Sequence, residues 1–148
     1  MQTFLPYPDF FESAICLDYR RLGKQRVEAA QLLTSLGVTV PGLNTKANKK
    51  GGWLNHPARI MWIGHEMALA HYMNVMIQEW GERGYNNNMR LIDTGSTFTM
   101  PTWVGNPAVH ASHRANLLRK DPGFYGKYGW QESPEIPYFW PRTKLSLE

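Results

Sequence analysis

Apolar residues recur along this chain mainly at helical spacing. Residues 1–10 are apolar but carry Pro6 and Pro8, so no regular helix runs through them. A helical region follows, with Ser13 or Asp18 as its cap. Leu22, Arg26, Ala29, Ala30, Leu33 and Leu36 mark its repeat, and Gly37 and Pro41-Gly42 end it. The polar, basic stretch from Asn44 to Gly52 reads as a mobile loop. A second helix is capped by Asn55 or His56, has Pro57 at its first position, and runs from Ala58 to about Gly81. Its apolar residues cover more than one face, which predicts a central, mostly buried helix. Gly84 closes it. Residues 85–105 are rich in Asn, Gly, Thr and Pro and read as irregular chain packed down by Trp103. Asn106-Pro107 opens a third helix that runs to about Lys120, where Asp121-Pro122 stops it. The tail carries Phe124, Tyr125, Tyr128, Trp130, Tyr138, Phe139 and Trp140 among prolines, and should wrap the helices as aromatic packing.

No stretch alternates as a strand would, and no internal repeat is present. The expected fold is therefore all-α. It is one compact domain over residues 1–148, with about three main helices, long loops and an irregular aromatic tail.

Composition narrows the chemistry. The single cysteine, Cys16, excludes an internal disulfide, and its neighbours Ile15 and Leu17 make it a packing residue. No apolar run approaches the length of a membrane span and no signal peptide is recognisable, so a cytoplasmic protein with no membrane association is expected. The net charge of +4, with 13% aromatic residues, suggests a polyanionic partner, nucleic acid first.

That charge is concentrated on two helices. Arg20, Arg21, Lys24 and Arg26 form the densest cluster. Arg20 and Lys24 lie one turn apart, with Gly23 leaving the surface between them open to a phosphate. The alternative is a solvated face balanced by Asp18 and Glu28. Arg114, Arg119 and Lys120 form the second cluster, with His110 and His113 beside it; the histidines could bond phosphate or pack structurally. No zinc-ligand pattern, P-loop, dinucleotide fingerprint or GxSxG elbow occurs, so no metal or cofactor is expected. His65 and His71 fall in the apolar central helix as core or interface residues, while His56 either caps that helix or faces a cleft.

Several strings resemble the pyrimidine-dimer DNA glycosylase (phage endonuclease V) family, in a divergent branch. They are Gln78–Asn86 at the end of the central helix, His110–Tyr125 followed by Lys127-Tyr128-Gly129, the opening residues 2–6, and Leu22–Glu28. The resemblance implies a compact helical enzyme that acts on double-stranded DNA, with no obligate protein partner. Its N-terminal α-amine attacks C1′ of a damaged nucleotide, the base leaves through an imine, and β-elimination cuts the strand. An α-amine titrates at about 7.7–8.0, so part of it is neutral at physiological pH.

Transferred to this chain, the resemblance implies Met1 as nucleophile, Glu28 as carboxylate and Arg26 as a group that stabilises the intermediate. Arg20, Arg21, Lys24, His110, His113, Arg114, Arg119 and Lys120 would contact DNA. Two positions depart from the prototype. Residue 2 is Gln, too large for ordinary removal of Met1. The position aligned with the prototype's catalytic Glu is Arg21, with Glu28 the nearest acid on the same helix. Two other readings stay open: a DNA-binding module of the same fold without catalysis, and a related enzyme for another modified base or nucleotide.

Overall fold

The structure is a computed structural model that describes residues 1–43 and 54–142. The loop expected over Asn44–Gly52 lies outside the described residues. Six α-helices and one short 3₁₀ turn, with no strand, make up the regular structure among the described residues. They are α1 (Phe10–Cys16), α2 (Tyr19–Ser35), α3 (Pro57–Ile60), α4 (Glu66–Glu82), α5 (Pro107–Lys120) and α6 (Pro122–Tyr125).

Side-chain caps set most of the boundaries. Asp9 accepts from the backbone N–H groups of Phe11 and Glu12, Asp18 from Arg21, His56 from Ala58 and Asn106 from Ala108. Asp18 is thus the cap of α2. Ser13 instead lies buried within α1, a short helix the apolar spacing did not separate from α2. Leu17 is extended and divides the two.

The expected long central helix is in fact two. Gly64 takes a left-handed φ of 85°, a conformation that costs any other residue steric strain. The chain leaves α3, makes a turn over residues 61–64, and re-enters helix at Glu66 with His65 at the boundary. The periodicity ran through this break because Met61 and Trp62 are fully buried despite lying in the turn.

Helices α2 and α4 pack lengthwise, and α1 packs on α4. The core between them includes Leu22, Leu32 and Leu33 of α2 with Leu69, Tyr72 and Met73 of α4, all fully buried. At Gly23 the helices approach so closely that an added Cβ would stand 2.8 Å from the Trp80 ring. Gly23 is therefore a packing residue, a correction to its reading as an opening for phosphate. Arg83 satisfies the exposed end of α1 by donating to the carbonyls of Ala14 and Ile15 at 3.2 and 3.0 Å.

The tail does wrap the helices. Tyr128 donates to the Cys16 carbonyl at 3.0 Å, Trp130 to the Tyr7 hydroxyl at 2.9 Å, and Arg142 to the Ile63 carbonyl at 2.8 Å. Tyr125 is fully buried, while Phe124, Tyr128, Trp130, Tyr138 and Trp140 are half-buried and Phe139 is exposed. Trp103 is buried and bonds the Met61 carbonyl at 2.9 Å.

Candidate active site

The residues before α1 form an arm outside any helix, and its positions 2–6 are all buried. Backbone N–H and C=O groups hidden outside a helix or sheet must find other partners. Here side chains supply them, and one more bond tethers the Thr3 hydroxyl. Trp62 Nε1 donates to Thr3 Oγ1 at 3.0 Å. Phe4 N–H donates to Gln25 Oε1 at 2.9 Å, and Leu5 N–H to His113 Nδ1 at 2.9 Å. The Leu5 carbonyl faces His110 Nδ1 at 2.8 Å, and the Pro6 carbonyl accepts from Arg114 Nη1 at 2.7 Å. Side chains of α2, α5 and the turn before α4 thus hold the arm residue by residue. Its first residue, Met1, emerges 40% exposed.

Met1 opens onto a cavity of about 270 Å³ lined by Gln2, Phe4, Arg20, Arg21, Lys24, Gln25, Glu28, Lys120 and Tyr138 as well. This groups four of the expected DNA contacts, Arg20, Arg21, Lys24 and Lys120, with the expected nucleophile and carboxylate. Residues 21, 24, 25 and 28 follow the turns of α2, so one helix face supplies most of one wall. A second cleft of about 410 Å³ shares Arg20, Arg21 and Lys120 and adds Asp18, Tyr19, Asp121 and Phe124. The two clefts thus lie on either side of the same three cations.

Charge inside the clefts is partly paired. Arg21 bonds Asp18 at 3.1 Å. Lys24, largely exposed, lies 3.8 Å from Glu28 Oε1, while Glu28 Oε2 accepts from Gln25 Nε2 at 3.1 Å. Burial pushes the Asp18 carboxyl upward, but hydrogen bonds from Tyr125 and Arg21 and the Arg21 charge outweigh it and leave the group below its usual range. Burial raises the Tyr138 phenol to about 12, so it stays a neutral hydroxyl on the cleft wall.

Other expected site residues lie elsewhere. Arg26 is on the far side of α2, over the Trp80 ring at 4.9 Å and bonded to Asn87; it does not line the cavity with Met1 and Glu28. It ends a stack of rings, Trp80 on Tyr85 and Tyr85 on Tyr19, that braces this side of the helix. His110 and His113 are 2% and 0% exposed and hold the arm, so they are structural residues and not surface phosphate contacts. Both rings must be neutral for these bonds. His110 also accepts from Gly105 N–H at 2.9 Å. Burial lowers both pKa values, His113 to about 3. Arg114 is engaged inside the protein, by a bidentate pair with Glu132 at 3.0 Å and by Pro6. Arg119 is exposed but bonds the Pro134 carbonyl and the Asn116 side chain.

His65 stands before α4 with Nδ1 3.2 Å from the Thr99 carbonyl. His71 is half-buried between Phe10 and Phe98. Cys16 is buried, and burial raises its thiol to about 12, as expected of a packing residue. Among the described residues no group of three or more His, Cys, Asp or Glu could hold a metal ion. No helix among them is long and apolar enough to cross a membrane.

Sequence reasoning missed Gln2, Phe4, Gln25 and Tyr138 as cleft residues. Gln25 stood within the Leu22–Glu28 string, but nothing in its type or spacing marked it as the partner of a backbone group 21 residues away.

The family model for pyrimidine dimer DNA glycosylase matches residues 1–93, which include the arm, α2 and α4. The chain belongs to that family. It is therefore a member of a family of DNA repair glycosylases, and the match covers the arm and the wall of α2 that form most of the cleft. No curated protein and no solved structure matches it.

Proposed function

We propose that this protein is a DNA glycosylase with an associated lyase step, acting on a damaged or modified pyrimidine in double-stranded DNA through the Met1 amine. The observation that carries this reading is that Met1 and Glu28 line one cleft together with Arg20, Lys24 and Lys120 in a member of this family. Met1 is partly exposed, and the residues behind it are held, so an amine there is presented at a defined place.

In this reading the neutral amine bonds to C1′ and the glycosidic bond breaks, its electron pair leaving with the base. The amine then loses a proton and the sugar oxygen gains one, giving an open-chain imine. Removal of a C2′ proton breaks the C3′–O bond and cuts the strand. Glu28 moves these protons and offsets the cationic charge of the imine. Arg20, Arg21, Lys24 and Lys120 hold phosphates and so place C1′ above the amine. Pyrimidine dimers are the substrate that the family name suggests.

Borohydride reduces an imine to a stable amine. Incubation with abasic or UV-irradiated duplex in its presence should give a covalent protein–DNA adduct. Glu28→Gln should lower the single-turnover rate by about 10²–10⁴-fold while DNA binding persists. Absence of an adduct on both substrates would remove the imine mechanism. Salt-sensitive DNA binding that survives N-terminal acetylation and Glu28→Gln, without any adduct, would instead show a binding module. Turnover of free nucleotides without DNA binding would show an enzyme of another substrate class.

A further inference from the structure

We propose that Gln25 is a positioning residue that ties the N-terminal arm to the Glu28 carboxylate and so keeps the two ends of the chemistry in register. The inference rests on the reading of the cleft given above. Gln25 is 1% exposed, and both ends of its carboxamide are engaged. The oxygen end accepts from Phe4 N–H at 2.9 Å, and the nitrogen end donates to Glu28 Oε2 at 3.1 Å.

An amide has one acceptor end and one donor end, and they cannot exchange roles. Because the arm offers an N–H at Phe4, it takes the oxygen and turns the NH₂ toward Glu28. The Tyr72 hydroxyl sits between two acceptors, the Phe4 carbonyl at 2.8 Å and Gln25 Oε1 at 2.7 Å, and its one proton serves either. Tyr72 is fully buried, so this junction has a rigid backing from α4.

Glu28 is otherwise held by Lys24, at 3.8 Å and mostly exposed. An ion pair whose lysine is exposed and mobile orients weakly, whereas a buried hydrogen bond orients well. Gln25 therefore sets the carboxylate position, and it does so from the same amide that anchors the arm three residues after Met1. A shift of either end passes to the other.

The test is a single-turnover assay on abasic duplex across pH, with binding measured on a duplex carrying an unreactive tetrahydrofuran abasic analogue. Gln25→Glu keeps an acceptor for Phe4 N–H but replaces the donor with a second carboxyl beside Glu28. It should lower the cutting rate at least about 10-fold, leave Kd within about twofold, and move the acidic limb of the pH–rate profile upward. The other titratable groups around Glu28 are Lys24, Arg20 and Arg21 of α2, Tyr72 of α4, Lys120 of α5 and Tyr138 of the tail, besides the Met1 amine. They are unchanged in the variant.

Gln25→Met also removes the Phe4 acceptor and should lower thermal stability. Gln25→Glu leaves the Phe4 anchor in place, so combined with Glu28→Gln it should slow cutting no further than Glu28→Gln alone, since both then act through one carboxylate. A Gln25→Glu protein with the wild-type rate and pH profile would overturn the proposal, as would losses for Gln25→Glu and Glu28→Gln that multiply. If the wild-type protein cuts no abasic DNA, the enzymatic reading fails and this role falls with it. If the wild type cuts and Gln25→Glu cuts equally, only the role of Gln25 fails.

Discussion

His113 shows how a residue that reads as a surface group becomes part of the interior. Its ring accepts from Leu5 N–H, lies against Phe4 and Tyr138 at right angles or nearly so, and has no contact with solvent. Desolvation, with the neighbouring charges of His110 and Arg114, lowers its pKa from 6.5 to about 3. The unfolded chain therefore takes up a proton below about pH 6.5 that the folded protein refuses, so stability falls as pH drops from 6.5 toward 3. Burial lowers His56, His71 and His110 as well, and they act in the same direction. The thermal midpoint should thus decrease steadily from pH 7 to pH 4. His113→Asn, whose side-chain oxygen can still accept from Leu5, should be less stable at pH 7.5 but lose less on acidification. An equal slope for variant and wild type would show that His113 is not the source.

At the scale of elements, α2 has three separate uses for its sides. Positions 21, 24, 25 and 28 line the cleft, positions 22, 29 and 33 enter the core, and positions 19, 23 and 26 meet the aromatic stack of Trp80 and Tyr85. Gly23 is what lets the stack come in. Gly23→Ala would drive a methyl into the Trp80 ring and should cost about 1–3 kcal/mol in a denaturant titration, even though alanine favours helix. A gain in stability would mean that Trp80 moves aside freely. The starts of α2 and α5 were legible from Asp18 and Asn106-Pro107, because a cap is a local interaction written in adjacent residues. The break between α3 and α4 was not. Buried Met61 and Trp62 continue the apolar pattern through it, and Gly64 alone in an apolar run does not announce a left-handed turn.

For the whole molecule, the distribution of cations decides which of them can serve a nucleic acid. Arg20, Lys24 and Lys120 are exposed and line the clefts, whereas Arg114 is held by Glu132 and the arm. Binding to duplex DNA should weaken linearly in log–log form with salt. Lys120→Ala should reduce the magnitude of that slope by about one. Arg114→Ala should leave the slope unchanged and lower the thermal midpoint, because it frees Glu132 and the Pro6 carbonyl. A reduced slope for Arg114→Ala would return that residue to the DNA-contacting set.

The amino-acid sequence by itself determined the helical class, the start of α5 at Asn106-Pro107, the basic character of two helices and the packing role of the single cysteine. All of these depend on residues within a turn or two of each other. Only the tertiary structure decided that Arg26 faces away from Met1 and Glu28, that His110 and His113 hold a buried segment of backbone, and that Gln25 joins the arm to the carboxylate. Those facts link residues up to 108 positions apart. They follow from a buried, non-helical arm whose polar groups must be satisfied by whatever side chains the packed helices bring to it, and that pairing has no signature in local spacing.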